Sequence, residues 1–245
     1  MSISLLYTIM EFFHLLNRGV DKRNIFLNKK DYFRFIHNLF EFNDTENVSP
    51  NNNRFFVQLM DVRRPSVGRH PSGGKVQKKK PRARKLLVNI HFFCLMPNHY
   101  HLLVSPLAKN GIPLFMKKLN MGYSKYFNEK NKRVGALFQG KYKSVHIERD
   151  AHFLWLPYYI HFNPLDLKMP EWREGKIRNS KKASDYLRLY RWSSHLDYLG
   201  TKNFPSVTQR DFFLKYFGGE KKYAQSVDEH LQELNISEIK DVLLE

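Results

Sequence analysis

Two histidines, His99 and His101, stand one residue apart in the stretch CLMPNHYHLLVSP, inside an otherwise apolar run. Side chains alternate across a β-strand, so on a strand both rings point to one face, with Cα atoms about 6.5 to 7 Å apart. Two imidazoles so placed can converge on one metal ion, while Tyr100 and Leu102 anchor the strand from its other face. The same pair also reads as two partly exposed polar residues on a sheet. A second stretch, LWLPYYIHFNPL, sets Tyr159 and Asn163 four residues apart, hence on one face of a helix. A phenol with a pKa of about 10 needs help to attack a phosphodiester. A divalent cation gives that help by polarising the phosphoryl oxygen, and the Asn163 carbonyl is a candidate ligand for it. The plainer alternative makes Tyr158, Tyr159 and Phe162 core aromatics, with Asn163 ending the helix before Pro164.

The elements that would carry these groups follow from hydrophobic periodicity. A strand is predicted over residues 7–18, ending in the turn NRGVDKRN. A helix is predicted over 29–43, with Phe33, Phe35, Ile36, Leu39 and Phe40 on one side. Strands over 86–95 and about 99–104 form a hairpin through the Pro97–Asn98 turn. A helix follows over 112–131, with Leu114, Phe115, Leu119, Tyr123 and Phe127 inward. The last strand is expected around 142–147, and Asp150 is the expected cap of a helix running towards Asn163–Pro164. This order of elements implies an α+β sandwich with a central antiparallel sheet.

Composition narrows the partners. The chain has 245 residues and a formal net charge of +18, which suits a polyanion such as nucleic acid. One cysteine, Cys94, excludes an intrachain disulfide and a Cys-based zinc site. No apolar run reaches membrane-spanning length, and the N-terminus lacks signal-peptide features, so the expected location is cytoplasmic and no membrane partner is expected. Residues 61–85 hold ten Lys or Arg against one acid, with three Pro and three Gly. Such a segment reads as a basic loop insertion whose Lys78, Lys79, Lys80, Arg82 and Arg84 would meet backbone phosphates; a solvated tether is the alternative. Arg18 in NRG and Gln139, Lys141 and Lys143 in FQGKYK are further DNA-contact candidates, Gly19 allowing close backbone approach. A plain turn and a lysine-protected sheet edge are the alternatives there. His91, His146, His152 and His161 read as structural.

The motifs MPNHYHLL, ALFQGKYKSVHIERD and YYIHFNPL, in this order, resemble those of the HUH single-tyrosine transposases, in particular the REP-associated tyrosine transposases. HLLNRGVDKRNIF and YRWSSHLDYLG also look like that family, and the resemblance covers roughly residues 8–43 and 86–200. It implies a ferredoxin-like fold with helices on one face of the sheet. It implies His99 and His101 as metal ligands, Asn163 as the third protein ligand and Mg²⁺ or Mn²⁺ as the ion. It implies Tyr159 as nucleophile, four residues before the Asn-Pro pair. The reaction would cleave single-stranded DNA at hairpin-forming ends, leaving a 5′-phosphotyrosine link and a 3′-hydroxyl that can later rejoin strands. Paired imidazoles suit Mn²⁺ at least as well as Mg²⁺. Residues 1–165 would form the catalytic unit and 166–245 a mostly helical accessory segment, in a monomer or homodimer. Two departures stand out: Pro157 lies two residues before Tyr159, and the 61–85 insertion is long. Two other readings remain open: a catalytically silent regulator that binds hairpin DNA or RNA, and a phosphoesterase that uses water as nucleophile.

Overall fold

The computed structural model describes residues 10–46 and 83–234. Strand β1 (Phe12–Arg18) leads to helix α1 (Lys29–Glu41). The hairpin strands β2 (Val88–Met96) and β3 (His99–Pro106) follow, then helix α2 (Gly111–Lys130), strand β4 (Lys143–Ile147) and helix α3 (Asp150–Phe162). The sheet order is β2-β3-β1-β4 with every pair antiparallel. Through β4 this is the β-α-β-β-α-β succession of a ferredoxin-like α+β sandwich.

Local chemistry explains the elements. Asn28 caps α1: its side chain accepts from the Lys30 amide, and Asp31 accepts from the Asn28 amide in return. The α2 helix buries Ile112, Phe115, Met116, Leu119, Tyr123 and Phe127, whereas Leu114, expected inside, faces solvent. The buried set runs in steps of three and four from Ile112, and Leu114 falls off that stripe. Gly122 lets α2 approach the end of α1, because a Cβ there would sit 2.3 Å from the Phe42 ring. Asp150 is not the cap of α3 but its first residue, where its charge favours the helix N-terminus; Arg149 holds the cap position. The helix runs without interruption through Pro157.

Helices cover both faces of the sheet, not one. Leu15, Phe93, Leu95, Tyr100, Leu102 and Val104 pack with α1 and α2. Phe12, Phe92, Cys94, Leu103 and Ile147 pack against α3 on the other face. Beyond α3 come two 3₁₀ turns, Asn163–Leu167 and Pro170–Glu174. Helices α4 (Ser180–Leu189), α5 (His195–Tyr198), α6 (Asp211–Phe217) and α7 (Glu220–Gln232) complete the described chain. Trp172, Leu187, Phe213, Tyr223 and Val227 from this region join the α3 cluster. A one-sided sheet would leave Phe12, Phe92 and Leu103 in water; the C-terminal elements remove that apolar surface.

Buried histidines accompany this second layer. His91 sits at the irregularity in the β2–β3 register, with Nδ1 bonded to the Gln209 carbonyl and Nε2 to Ser105 Oγ. Burial pushes its pKa down to about 4, against a weaker opposite effect of the Gln209 carbonyl. His161 is held between the Tyr223 hydroxyl and Ser194 Oγ, and burial pushes it well below the ordinary histidine range. Both therefore serve structure, as expected. Folded His91 refuses a proton that the unfolded chain accepts below its ordinary pKa of about 6.5. Its contribution to stability is complete above pH 6.5 and is lost as pH falls towards 4. Urea titrations across that window will show falling stability, and His91→Gln will flatten the dependence.

Candidate active site

The β3 strand presents its residues alternately, as its apolar pattern requires. Tyr100, Leu102 and Val104 enter the α1–α2 layer, so His99, His101 and Leu103 face α3. Both histidines are buried, with ring centroids 5.0 Å apart. The Tyr159 ring stands edge-on to His101, at a centroid distance of 5.6 Å and an angle of 89°. His99, His101 and Tyr159 therefore meet. Tyr158 turns the other way: its hydroxyl donates to Ser226 Oγ, it stacks on His230, and burial pushes its pKa up to about 12.

Each imidazole has a partner that fixes it. Asn98 Nδ2 donates to the Lys22 carbonyl, which turns Asn98 Oδ1 towards His99 Nδ1 at 2.6 Å. An amide oxygen only accepts, so His99 Nδ1 carries a proton, and in the neutral ring the lone pair is on Nε2. His101 Nδ1 meets His14 Nε2 at 2.9 Å, and the two rings stack at 5.1 Å. His14 lies on β1, diagonally across from His101, and its ring is also 6.2 Å from Tyr159.

The resemblance implies a divalent ion here, and the chemistry of the two imidazoles fits one. The two imidazoles share a face, and each has Nδ1 tied to a protein group, which is the outer-shell arrangement of a metal-ligating histidine. Asn163 Oδ1 accepts from Arg173 at 3.2 Å and has a second lone pair, while its Nδ2 donates to the Tyr159 carbonyl at 2.8 Å. Among the described residues no three His, Cys, Asp or Glu are grouped so as to hold a metal ion. Further ligands would therefore come from Asn163, from water or from a substrate.

Three residues near Tyr159 and Asn163 have no counterpart among the sequence candidates. Arg173, in the second 3₁₀ turn, donates to the Tyr159 hydroxyl at 3.1 Å. Its fork is held by both oxygens of Asp166, at 2.8 and 2.6 Å, and Trp172 Nε1 also donates to Asp166. No periodicity links these residues to Tyr159; packing alone brings them in. His14, by contrast, had a signal: it is a polar ring in the apolar run FFHLL, the same anomaly that marks His99 and His101.

The DNA-contact candidates separate into three groups. Arg18, Gln139, Lys141 and Lys143 line one cavity of about 210 Å³, together with Leu16 and Asn17. Register places it beside the histidines: Arg18 pairs with His99, and Leu16 pairs with both His101 and Lys143, so these side chains share the histidine face. Gly19 does serve close approach, but to the chain itself: a Cβ there would lie 2.3 Å from the Arg23 carbonyl. Arg84 is elsewhere, its guanidinium over the Phe40 ring and donating to the Phe40 carbonyl. Lys78, Lys79, Lys80 and Arg82 lie outside the described residues.

Residues 76–163 match the family model of the IS200-like transposases, a span that is under half of the chain but carries His99, His101, Tyr159 and Asn163. The chain therefore resembles these transposases over the segment that builds the site. No curated protein matches it. A solved structure described as "Structure of the REP associates tyrosine transposase bound to a REP hairpin" is similar at 13% sequence identity and a TM-score of 0.44, over 82% of this chain and 86% of that one. Among the described residues no helix is long and apolar enough to cross a membrane.

The Asn98 contact has a direct readout. Histidine-ring ¹⁵N spectra of metal-free protein at alkaline pH will show His99 protonated on Nδ1. Asn98→Ala will convert that signal to a mixture of tautomers.

Proposed function

We propose that this protein is a metal-dependent transposase or endonuclease that cleaves and rejoins single-stranded DNA at hairpin-forming ends. Residues 1–165 carry the chemistry in this reading, and the segment from 166 to 245 is its accessory unit. The observation that carries the reading is the packing of the Tyr159 ring on His101, 5.6 Å away, with His99 adjoining. A nucleophile, two metal-competent imidazoles and a cationic cavity on one sheet face form a site for phosphoryl transfer.

His99, His101 and Asn163 would hold Mg²⁺ or Mn²⁺, which when bound supplies Lewis acidity to the scissile phosphate. Arg18, Lys141 and Lys143 hold the DNA backbone beside the histidines, with Gln139 as a further contact. The Tyr159 oxygen attacks phosphorus; its proton passes to water, the P–O3′ bond breaks, and the 3′ oxygen leaves with a proton. The strand is then joined to Tyr159 through its 5′-phosphate. Attack by a 3′-hydroxyl reverses the step and rejoins DNA without an external energy source. The partner is single-stranded DNA with hairpin structure, met in the cytoplasm by a monomer or homodimer.

One observation favours a second reading. Tyr159 is only 2% exposed, so it must be uncovered before a phosphate can reach it. A protein that binds hairpin nucleic acid without cutting it needs no such opening.

A labelled single-stranded hairpin oligonucleotide incubated with the protein and Mn²⁺ will yield a covalent adduct on a denaturing gel. The adduct will vanish in Tyr159→Phe. Binding without adduct selects the silent regulator, and cleavage that persists in Tyr159→Phe selects a water-using phosphoesterase. Binding will also weaken steeply with salt, and Arg18→Ala or Lys143→Ala will lower the log–log salt slope by about 0.7 for each phosphate that is no longer neutralised.

A further inference from the structure

One guanidinium gathers the groups around the proposed nucleophile. Arg173 donates to the Tyr159 hydroxyl (3.1 Å) and to Asn163 Oδ1 (3.2 Å), while its Nε and second Nη engage the two oxygens of Asp166. Its Cζ lies 5.4 Å from the centre of the Tyr159 ring and 5.0 Å from that of Trp172. Asp166 is itself fixed by the Trp172 indole N–H at 2.6 Å. The fork is therefore aimed before any substrate arrives.

A brace for the chain turn at 163–174 would need only the Asp166 pair. The contact with the Tyr159 hydroxyl goes further, because it meets the atom on which charge changes during the reaction. Arginine is always protonated, so it donates to a neutral phenol and more strongly to a phenolate. Negative charge develops on the Tyr159 oxygen twice: as it loses its proton to attack, and as it leaves when the 3′-hydroxyl resolves the phosphotyrosine. A preorganised donor at that position stabilises both transition states without reorganisation.

We propose that Arg173 is a catalytic residue of this site, donating to the Tyr159 oxygen in cleavage and in rejoining, with Asp166 as its positioning residue. The proposal rests on Tyr159 being the nucleophile. It makes the segment after residue 165 part of the chemistry and not only a cover for the sheet.

Single-turnover adduct formation on a hairpin oligonucleotide tests it in the full chain, alongside metal-free hairpin binding and thermal melting. Arg173→Gln will slow adduct formation by about 100-fold, the scale of losing one such donor. Its hairpin affinity and melting will stay close to wild type. Arg173→Lys will recover part of the rate, and guanidinium added to Arg173→Ala will restore adduct formation in proportion to its concentration. The rejoining rate, measured from preformed adduct, will fall together with the cleavage rate. The proposal is overturned if Arg173→Gln stays within about threefold of wild type, or if its slower adduct formation merely tracks weaker binding or unfolding. An adduct persisting in Tyr159→Phe would remove the nucleophile assignment and this proposal together. A dead Tyr159→Phe beside a fully active Arg173→Gln would remove this proposal alone.

Discussion

The ring-to-ring hydrogen bond between His14 and His101 is the constraint around which the site is organised. Helices cover both faces of the sheet, so His14, His99 and His101 on the central strands are buried and cannot hand their polar atoms to water. An imidazole placed there must find a partner inside the protein, because leaving a buried polar group unsatisfied costs about 1–3 kcal/mol. His101 finds His14 on the neighbouring strand, and His99 finds the Asn98 amide in the hairpin turn. Both solutions spend Nδ1 and turn the opposite edge of each ring to the face that α3 covers. The orientation of both rings thus follows from satisfying buried polar atoms on a strand whose other face is committed to Tyr100, Leu102 and Val104.

The second layer of the fold carries more than cover. Phe12, Phe92 and Leu103 need apolar contact, and α3 with the C-terminal helices supplies it. The same packing brings the turn at 163–174 against the end of α3, where Asp166 and Trp172 aim Arg173 at Tyr159 and Asn163. Core formation and site assembly are therefore one event for this half of the molecule. A substitution in the α3–α7 contact, such as at Tyr158 or Val227, would disturb the setting of Tyr159 as well as stability.

Charge is arranged by register. The pairing of β1 with β3 and β4 sets Arg18 beside His99 and Lys143 beside Leu16, so cations border the imidazoles on the same face. One loop of no strong pattern, between α2 and β4, closes the cavity with Gln139 and Lys141. Arg84 shows the limit of reading charge alone: a cation in a basic run is used here to cap the end of α1 and cover Phe40. A long side chain can serve packing through its stem and its planar head as readily as it serves a phosphate.

Much of the site was legible in the sequence because it depends on local periodicity. A spacing of two on a strand placed His99 and His101 together, a spacing of four on a helix placed Tyr159 and Asn163 together, and the α+β order followed from element succession. Motif resemblance singled out Tyr159 over Tyr158; in the structure the Tyr159 ring lies against His101, while the Tyr158 hydroxyl donates to Ser226. Leu114 and Asp150 were misplaced because stripe edges and cap positions turn on a single residue's rotation about the helix. What tertiary structure alone decided was which distant groups meet: His14 with His101, 87 positions away, and Arg173 with Tyr159. Periodicity fixes which face a side chain takes within its own element. Which element lies against that face is settled by burying apolar surface across the whole chain, and the partners of these buried polar groups were set only at that stage.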